Sequence, residues 1–527
     1  MLATLAGLCV VLGWRNIEAL NSDAVAYLRI ASYYAGGQVD LMVSGYWGPM
    51  LSWLMAPLLA VGVDALAAGR CIMGASAVVF WAGCMAMFRA WDLPPRWLNL
   101  GGWVAALAAA GWSVRGITPD LLAAGLVGLA MARLVRAEWA GGKRIAFVCG
   151  MLWGAAYLTK AIALPLGILV TLAFALTHWR FGAGLSSIAT ASLATAVGLL
   201  VIAAPWLTVL SIRYDRFTFS TTGKIAHALA GPEDEERYHP IVRSFHVPEA
   251  GRVTAWEDPS EMDYAFWSPF ASAEYAKHQV WVMATNALKI GVMLSVICLL
   301  VPVLVVEGLI RGVQRRMRIG SRGRWWQPFL LLGPLAALYL PFHLDTSDIR
   351  YFYVALPALW VVLARGQMES ASEKLESGSG GMRWREGLAV AAFGLPAAGW
   401  LIIGVVSYPN LAPAARVARV TAERMEAAGL AGSLAGSGLM PGGRTGLYTA
   451  WFMGQPWLGD EPMAAPERYR ASGARFVLLR RDDPAVELLV RSESFRDLDQ
   501  VLFGDGDEPV RFPVKVFESV GESGQPL

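Results

Sequence analysis

The sequence predicts an α-helical polytopic membrane protein of about eleven transmembrane helices, followed by a small C-terminal α/β domain. Three observations carry this expectation. Hydrophobic residues make up 56% of the 527 and charged residues only 16%, against roughly a quarter charged in soluble domains. Mean hydropathy is +0.46. Apolar runs of membrane-spanning length recur along the first four-fifths of the chain, with basic residues clustered between them.

The candidate spans are 1–18, 65–89, 98–114, 119–136, 144–159, 161–177, 185–210, 281–310, 327–342, 350–364 and 387–406. The first run is short and its start is left open. No basic region precedes it and no small-residue cleavage site follows, which argues against a signal peptide. The apolar run 145–176 would reach roughly 48 Å as one helix, too long for a single crossing. Lys143 and Arg144 precede it and Arg180 follows it, so the positive-inside rule makes it a hairpin of two spans. Its turn lies near Thr159-Lys160-Ala161, on the outer side.

The other basic residues follow. Arg133, Arg136 and the cluster Arg311, Arg315, Arg316, Arg318, Arg322 and Arg324 fall inside, as do Arg365, Lys374, Arg383 and Arg385. A membrane domain 1–406 results, with outer loops 19–64 and 211–280, and an extracytoplasmic α/β domain 407–527. Within the tail, 413–428 reads as an amphipathic helix ended by Gly429, and 474–479 and 511–520 read as strands. Residues 47–62, interrupted by Pro49 and Pro57, read as a re-entrant or interfacial helix.

All five cysteines lie in apolar runs without a Cys-x-x-Cys pair, so buried thiols are expected rather than disulfides or a cysteine metal site. His227, His239, His246, His278 and His343 are expected outside, none at ligand spacing. No metal or other cofactor is assigned, and a divalent cation is not supported by ligand spacing. Nucleic-acid binding is not expected, because the basic residues are short interhelical clusters. No phosphate-binding Gly-rich loop or nucleophile elbow is present.

Polar candidates gather at the outer ends of the spans. Asn21 and Ser22 suit a helix start, and Asp23 and Tyr27 share a helical face. Asp23 alone could simply complement the helix dipole. Thr118-Pro119-Asp120 opens the fourth span, with Thr118 a candidate N-cap and Pro119 at the first helical position. Lys160 sits at the hairpin turn, as a snorkelling lysine or a phosphate contact. Arg350-Tyr351 follows His343-Leu344-Asp345-Thr346-Ser347-Asp348.

Asp23-x-x-x-Tyr27-x-x-Ile30-Ala31, a Gly pair, and an aromatic-Gly-Pro stretch leading into an apolar helix resemble the first outer loop of GT-C glycosyltransferases. These polyprenyl-phosphate-sugar-dependent enzymes include protein O-mannosyltransferases, lipid A aminoarabinose transferases and rhizobial galacturonosyltransferases. The resemblance covers about residues 15–365. It implies that Asp23 is the catalytic or acceptor-orienting carboxylate and that Asp120 helps line the site. It further implies that Lys160 and Arg350-Tyr351 contact the lipid-phosphate donor. Where the aminoarabinose transferases carry Glu-Lys-Pro-Pro, this chain has the uncharged Tyr46-Trp47-Gly48-Pro49. The implied function is sugar transfer from a polyprenyl-phosphate donor to an envelope acceptor at the outer face of the cytoplasmic membrane. The rival class, a transporter or flippase, calls for charged groups in mid-membrane, of which the interiors of the runs are nearly free; a non-catalytic scaffold is a third.

Overall fold

The computed structural model describes residues 1–233, 237–303, 326–375, 382–406, 411–437, 444–504 and 513–520. Helices fill the expected runs: α1 (Leu2–Arg15), α2 (Ser22–Gly36), α3 (Pro49–Ala60), α4 (Ala65–Ala90), α5 (Pro95–Arg115), α6 (Asp120–Leu134), α7 (Lys143–Thr159), α8 (Ala163–Arg180), α9 (Leu185–Arg213), α10 (Ala273–Ile297), α11 (Phe329–Tyr339), α12 (Ala355–Leu375) and α13 (Met382–Val406). The hairpin turn falls where expected: α7 ends at Thr159, Lys160 is extended (φ −150, ψ 120), and α8 starts at Ala163. Pro49 opens α3 at its first position.

One expectation about the spans needs correction. The run 281–310 is not one helix. α10 begins eight residues earlier, at Ala273, and ends at Ile297. Cys298 adopts an extended conformation, and the Leu299 amide donates to the Ala392 carbonyl of α13 (3.1 Å), which draws the chain away from the helix axis. The basic cluster 311–324 lies outside the described residues. The helices differ in length, as the spans of the sequence do. Among the described residues, four helices are both long and apolar enough to cross alone: α4, α8, α9 and α10. α1 and α11, at 14 and 11 residues, are short for a hydrocarbon core of ~30 Å.

Small residues set the close crossings. A Cβ on Gly83 of α4 would stand 2.5 Å from the Gly125 carbonyl of α6, and one on Gly154 of α7 2.9 Å from the Leu199 carbonyl of α9. Lipid gives apolar surfaces no reason to leave it, so membrane helices associate through such close packing. The effect is to align the ends of α2, α6, α7 and the segment before α12 at one end of the bundle.

The tail begins with the expected amphipathic helix, α14 (Leu411–Ala427), followed by Gly429 at φ +70. A five-stranded mixed sheet follows: β1 (Leu434–Gly436), β2 (Trp457–Asp460), β3 (Phe476–Arg480), β4 (Phe495–Asp497) and β5 (Val514–Ser519), in the order β2-β1-β3-β5-β4. β1 pairs in parallel with β2 and β3, while β5 runs antiparallel to β3 and β4. Both expected strands are present. Between β1 and β2, α15 (Thr445–Met453) packs against α14. The sheet docks on loop 211–280: the Trp457 amide donates to the Val253 carbonyl (2.6 Å), and the His246 amide to the Leu458 carbonyl (2.6 Å). Tyr448 of α15 donates its hydroxyl to the Leu20 carbonyl (3.0 Å), just before α2.

Candidate active site

The start of α2 shows how the site is assembled. Asn21 takes the N-cap position with extended backbone, but its side chain does not cap α2. Its carboxamide oxygen instead accepts the Ile117 amide (2.9 Å). The loop before α6 is thereby tied to the start of α2, which brings Asp23 and Asp120 together. α6 begins at Asp120 rather than at Pro119, with Pro119 in the cap position and no side-chain cap from Thr118. The Thr118 hydroxyl is used instead as a hydrogen-bond partner of the Asp120 carboxylate. Asp120 is buried, 4% exposed, and paired with Lys160.

Arg350 lies in a short 3-10 helix, Ile349–Phe352, at the end of a loop anchored by α10 and α5. Asn286 of α10 donates to the carbonyls of Leu340 (2.9 Å) and Phe342 (2.6 Å), Lys289 to that of Leu344 (2.7 Å), and Arg115 of α5 to that of Ser347 (2.7 Å). The loop's own carbonyls are thus satisfied by neighbouring helices, as buried irregular backbone requires.

The four ionic candidates meet in one network. Arg350 donates from Nη1 to Asp23 Oδ2 at 2.6 Å, and its Nε lies 3.8 Å from Asp120 Oδ2. Lys160 Nζ donates to Asp120 Oδ1 and stands 3.6 Å above the centre of the Tyr351 ring, where the ring's quadrupole attracts an ammonium. Tyr351 in turn stacks on Tyr339 at 5.2 Å and 5°. Tyr27 is buried, edge-on to Trp47 at 5.1 Å, and within the electrostatic reach of Asp120, Asp23 and Arg350. All six sequence candidates therefore converge.

Residues without a sequence assignment join them. Asp348 Oδ1 lies 3.4 Å from Arg350 Nε. Burial pushes the Asp348 carboxyl above its ordinary range, against the pull of Arg350 and Lys160. Its signal was its place two residues before Arg350. Tyr46 feels the charges of Asp23, Arg350 and Asp348, and belongs to an aromatic wall with Trp47 (4.7 Å), Trp256 (5.8 Å) and His239 (6.0 Å). His239 shares a hydrogen bond with the Tyr264 hydroxyl (2.8 Å). Burial first, and the Arg444 charge next, lower its pKa to about 3, so it is neutral at ordinary pH. No pattern in the sequence ties His239 to Asp23, since 215 residues and a loop separate them.

Lys160 is drawn below its ordinary range by burial, and the Asp120 carboxylate opposes the shift. The arrangement offers a carboxylate, Asp23, on one side of two cations, with the remaining carboxylates holding those cations in place. Such a set can accept a proton from one substrate while stabilising an anion on another. Among the described residues, no group of three His, Cys, Asp or Glu side chains has the geometry to hold a metal.

No protein-family model and no curated protein matches the sequence. Solved structures do. ArnT from Cupriavidus metallidurans, bound to undecaprenyl phosphate, aligns over 100% of this chain and 99% of its own with a TM-score of 0.55 at 14% identity. The arabinofuranosyltransferase AftD from Mycobacteria aligns over 98% of this chain and 40% of its own, with a TM-score of 0.50 at 13% identity. The end-to-end alignment includes the sheet unit as well as the helices. The chain is a polytopic membrane protein with the GT-C fold, the fold of the polyprenyl-phosphate-dependent glycosyltransferases that its sequence resembles.

Proposed function

We propose that the chain is an inverting glycosyltransferase that moves a sugar from a polyprenyl-phosphate donor to a hydroxyl of an envelope glycolipid, glycan or protein. The reaction takes place at the outer face of the cytoplasmic membrane, where loops 19–64 and 211–280 and the unit 407–527 lie. The observation that carries this reading is the meeting of Asp23, Asp120, Lys160 and Arg350, from four distant segments, in one network. The likeness to a structure that holds undecaprenyl phosphate supports the choice of donor.

In this reading Arg350 and Lys160 receive the donor phosphate. Asp23, released from Arg350 as the phosphate takes its place, accepts the proton of the acceptor hydroxyl. The acceptor oxygen forms a bond to the anomeric carbon as the bond from that carbon to the phosphate oxygen breaks. The bonding pair leaves with the phosphate, whose growing charge the two cations stabilise. Asp120 holds Lys160, Asp348 holds Arg350, and Tyr27 and Tyr351 line the substrate space.

The test is mass spectrometry of envelope glycolipids and glycoproteins from cells with and without the protein. A sugar increment should vanish in its absence and return with the wild-type chain but not with Asp23→Asn. An identical set of glycoconjugates in both strains would contradict the proposal.

A further inference from the structure

Among the described residues, two cations, Lys160 and Arg350, pair with the carboxylates of the network, and both are engaged. Lys160 is paired with Asp120, and Arg350 reaches Asp23, Asp348 and Asp120. Three carboxylates thus face two cations before any substrate arrives. Arg115, the next cation along the wall, donates from Nη2 to the Ser347 carbonyl and lies 4.9 Å over the Trp400 ring, while its Nη1 is buried without a hydrogen-bond partner among the described residues. A phosphate entering such a site meets a field that is already negative, so the site is short of positive charge for an anionic donor.

The sheet unit carries a candidate for the missing charge. Arg444 stands at the N-cap of α15, exposed, and its side chain has no ion pair or hydrogen bond among the described residues. Tyr448, one turn further along the same helix, is buried and fixed by its hydrogen bond to the Leu20 carbonyl, three residues before Asp23. α15 is therefore held directly against the start of α2. Arg444 and Asp23 act on the same two side chains from opposite signs, since both charges reach His239 and Tyr448. His239 is itself part of the wall that contains Tyr46. The sheet unit is clamped in this position by the backbone hydrogen bonds of Trp457 and His246.

Resting on the function proposed above, we propose that Arg444 is a third donor-phosphate ligand, supplied to the membrane site by the C-terminal unit. A guanidinium with no ion pair or hydrogen bond among the described residues, one helical turn before Tyr448, offers a planar fork for phosphate oxygens. The sheet unit then completes the donor site and is more than a bystander attached to the membrane domain.

The test is titration of the full-length protein in lipid vesicles with undecaprenyl phosphate, without acceptor. Wild type is compared with Arg444→Ala, Arg444→Lys, Arg350→Ala and, as a surface control, Arg491→Ala, whose exposed side chain pairs with Glu487. Arg444→Ala should weaken binding about tenfold, Arg444→Lys less, and Arg491→Ala not at all. Wild-type affinity in Arg444→Ala, with binding lost in Arg350→Ala, would overturn this inference and leave the proposed function standing. Absence of saturable binding by the wild type would overturn both.

Discussion

The Asp23 carboxylate and the Arg350 guanidinium, 327 residues apart in sequence, meet at 2.6 Å. Each is partly exposed, at 15% and 25% of the side chain, so the pair lies at a surface that a substrate can reach. In the proposed reaction this contact holds the candidate base and the candidate phosphate ligand together until the donor phosphate separates them.

Arg350 is expected to bind phosphate through two parallel hydrogen bonds. Arg350→Ala should then abolish measurable donor binding, and Arg350→Lys should restore it only in part, because an ammonium cannot form the bidentate fork. Donor titration of both variants reads this directly. Equal donor affinity in wild type and both variants would remove Arg350 from the site.

Asp120 and Lys160 should behave as a structural unit. The Asp120 side chain is 2% exposed and Lys160 22%, so Asp120→Asn leaves a largely buried ammonium without its counter-charge. Breaking a buried pair in this way destabilises by roughly 3 kcal/mol. The double variant Asp120→Asn/Lys160→Met should recover much of that loss. Thermal unfolding of the single and double variants in detergent measures the coupling; strictly additive losses would show that the pair does not act together.

How much of this was legible in the sequence depends on distance along the chain. Helices with long apolar runs, and the hairpin at Lys160 marked by Lys143, Arg144 and Arg180, follow from hydropathy and charge alone. Asp23, Asp120, Lys160 and Arg350 could be nominated because each stands at the end of an apolar run and because the surrounding stretches resemble those of GT-C glycosyltransferases. Their convergence could not be read, since it depends on Asn21 abandoning its cap for the Ile117 amide. The place of His239 and Tyr46 beside Asp23 could not be read for the same reason: aromatic residues in a long loop carry no periodicity that fixes their neighbours. The break after Ile297 was hidden because Cys298 to Val306 continue apolar, and hydropathy does not register a carbonyl of α13 capturing the Leu299 amide.

His239 gives a pH signature. Its folded-state pKa is about 3 against an ordinary 6.5, so the unfolded chain binds the extra proton between those values. Stability contributed by neutral His239 is therefore complete above pH 6.5 and falls as pH drops toward 3. His239→Gln should flatten the decline in melting temperature between about pH 7 and 5. An unchanged slope in the variant would show that the imidazole is not held neutral by its burial.

Orientation in the membrane underlies every assigned role. In a cysteine-free background, a cysteine at position 433 should react with an impermeant reagent in intact cells, and one at position 321 should react only after lysis. The reverse pattern would place the candidate site on the cytoplasmic face and exclude an outer-face reaction.

The central claim is that Asp23 takes a proton from the acceptor. Asn21, not Asp23, holds the cap position of α2, so Asp23→Asn keeps the size and hydrogen-bonding capacity of the side chain while removing its charge and its ability to take a proton. The deciding measurement is sugar transfer by the purified protein in lipid, from a polyprenyl-phosphate sugar, with melting temperature recorded alongside. Turnover should fall by about two to four orders of magnitude while the melting temperature stays close to that of the wild type. Near-normal transfer by a well-folded Asp23→Asn protein would contradict the account.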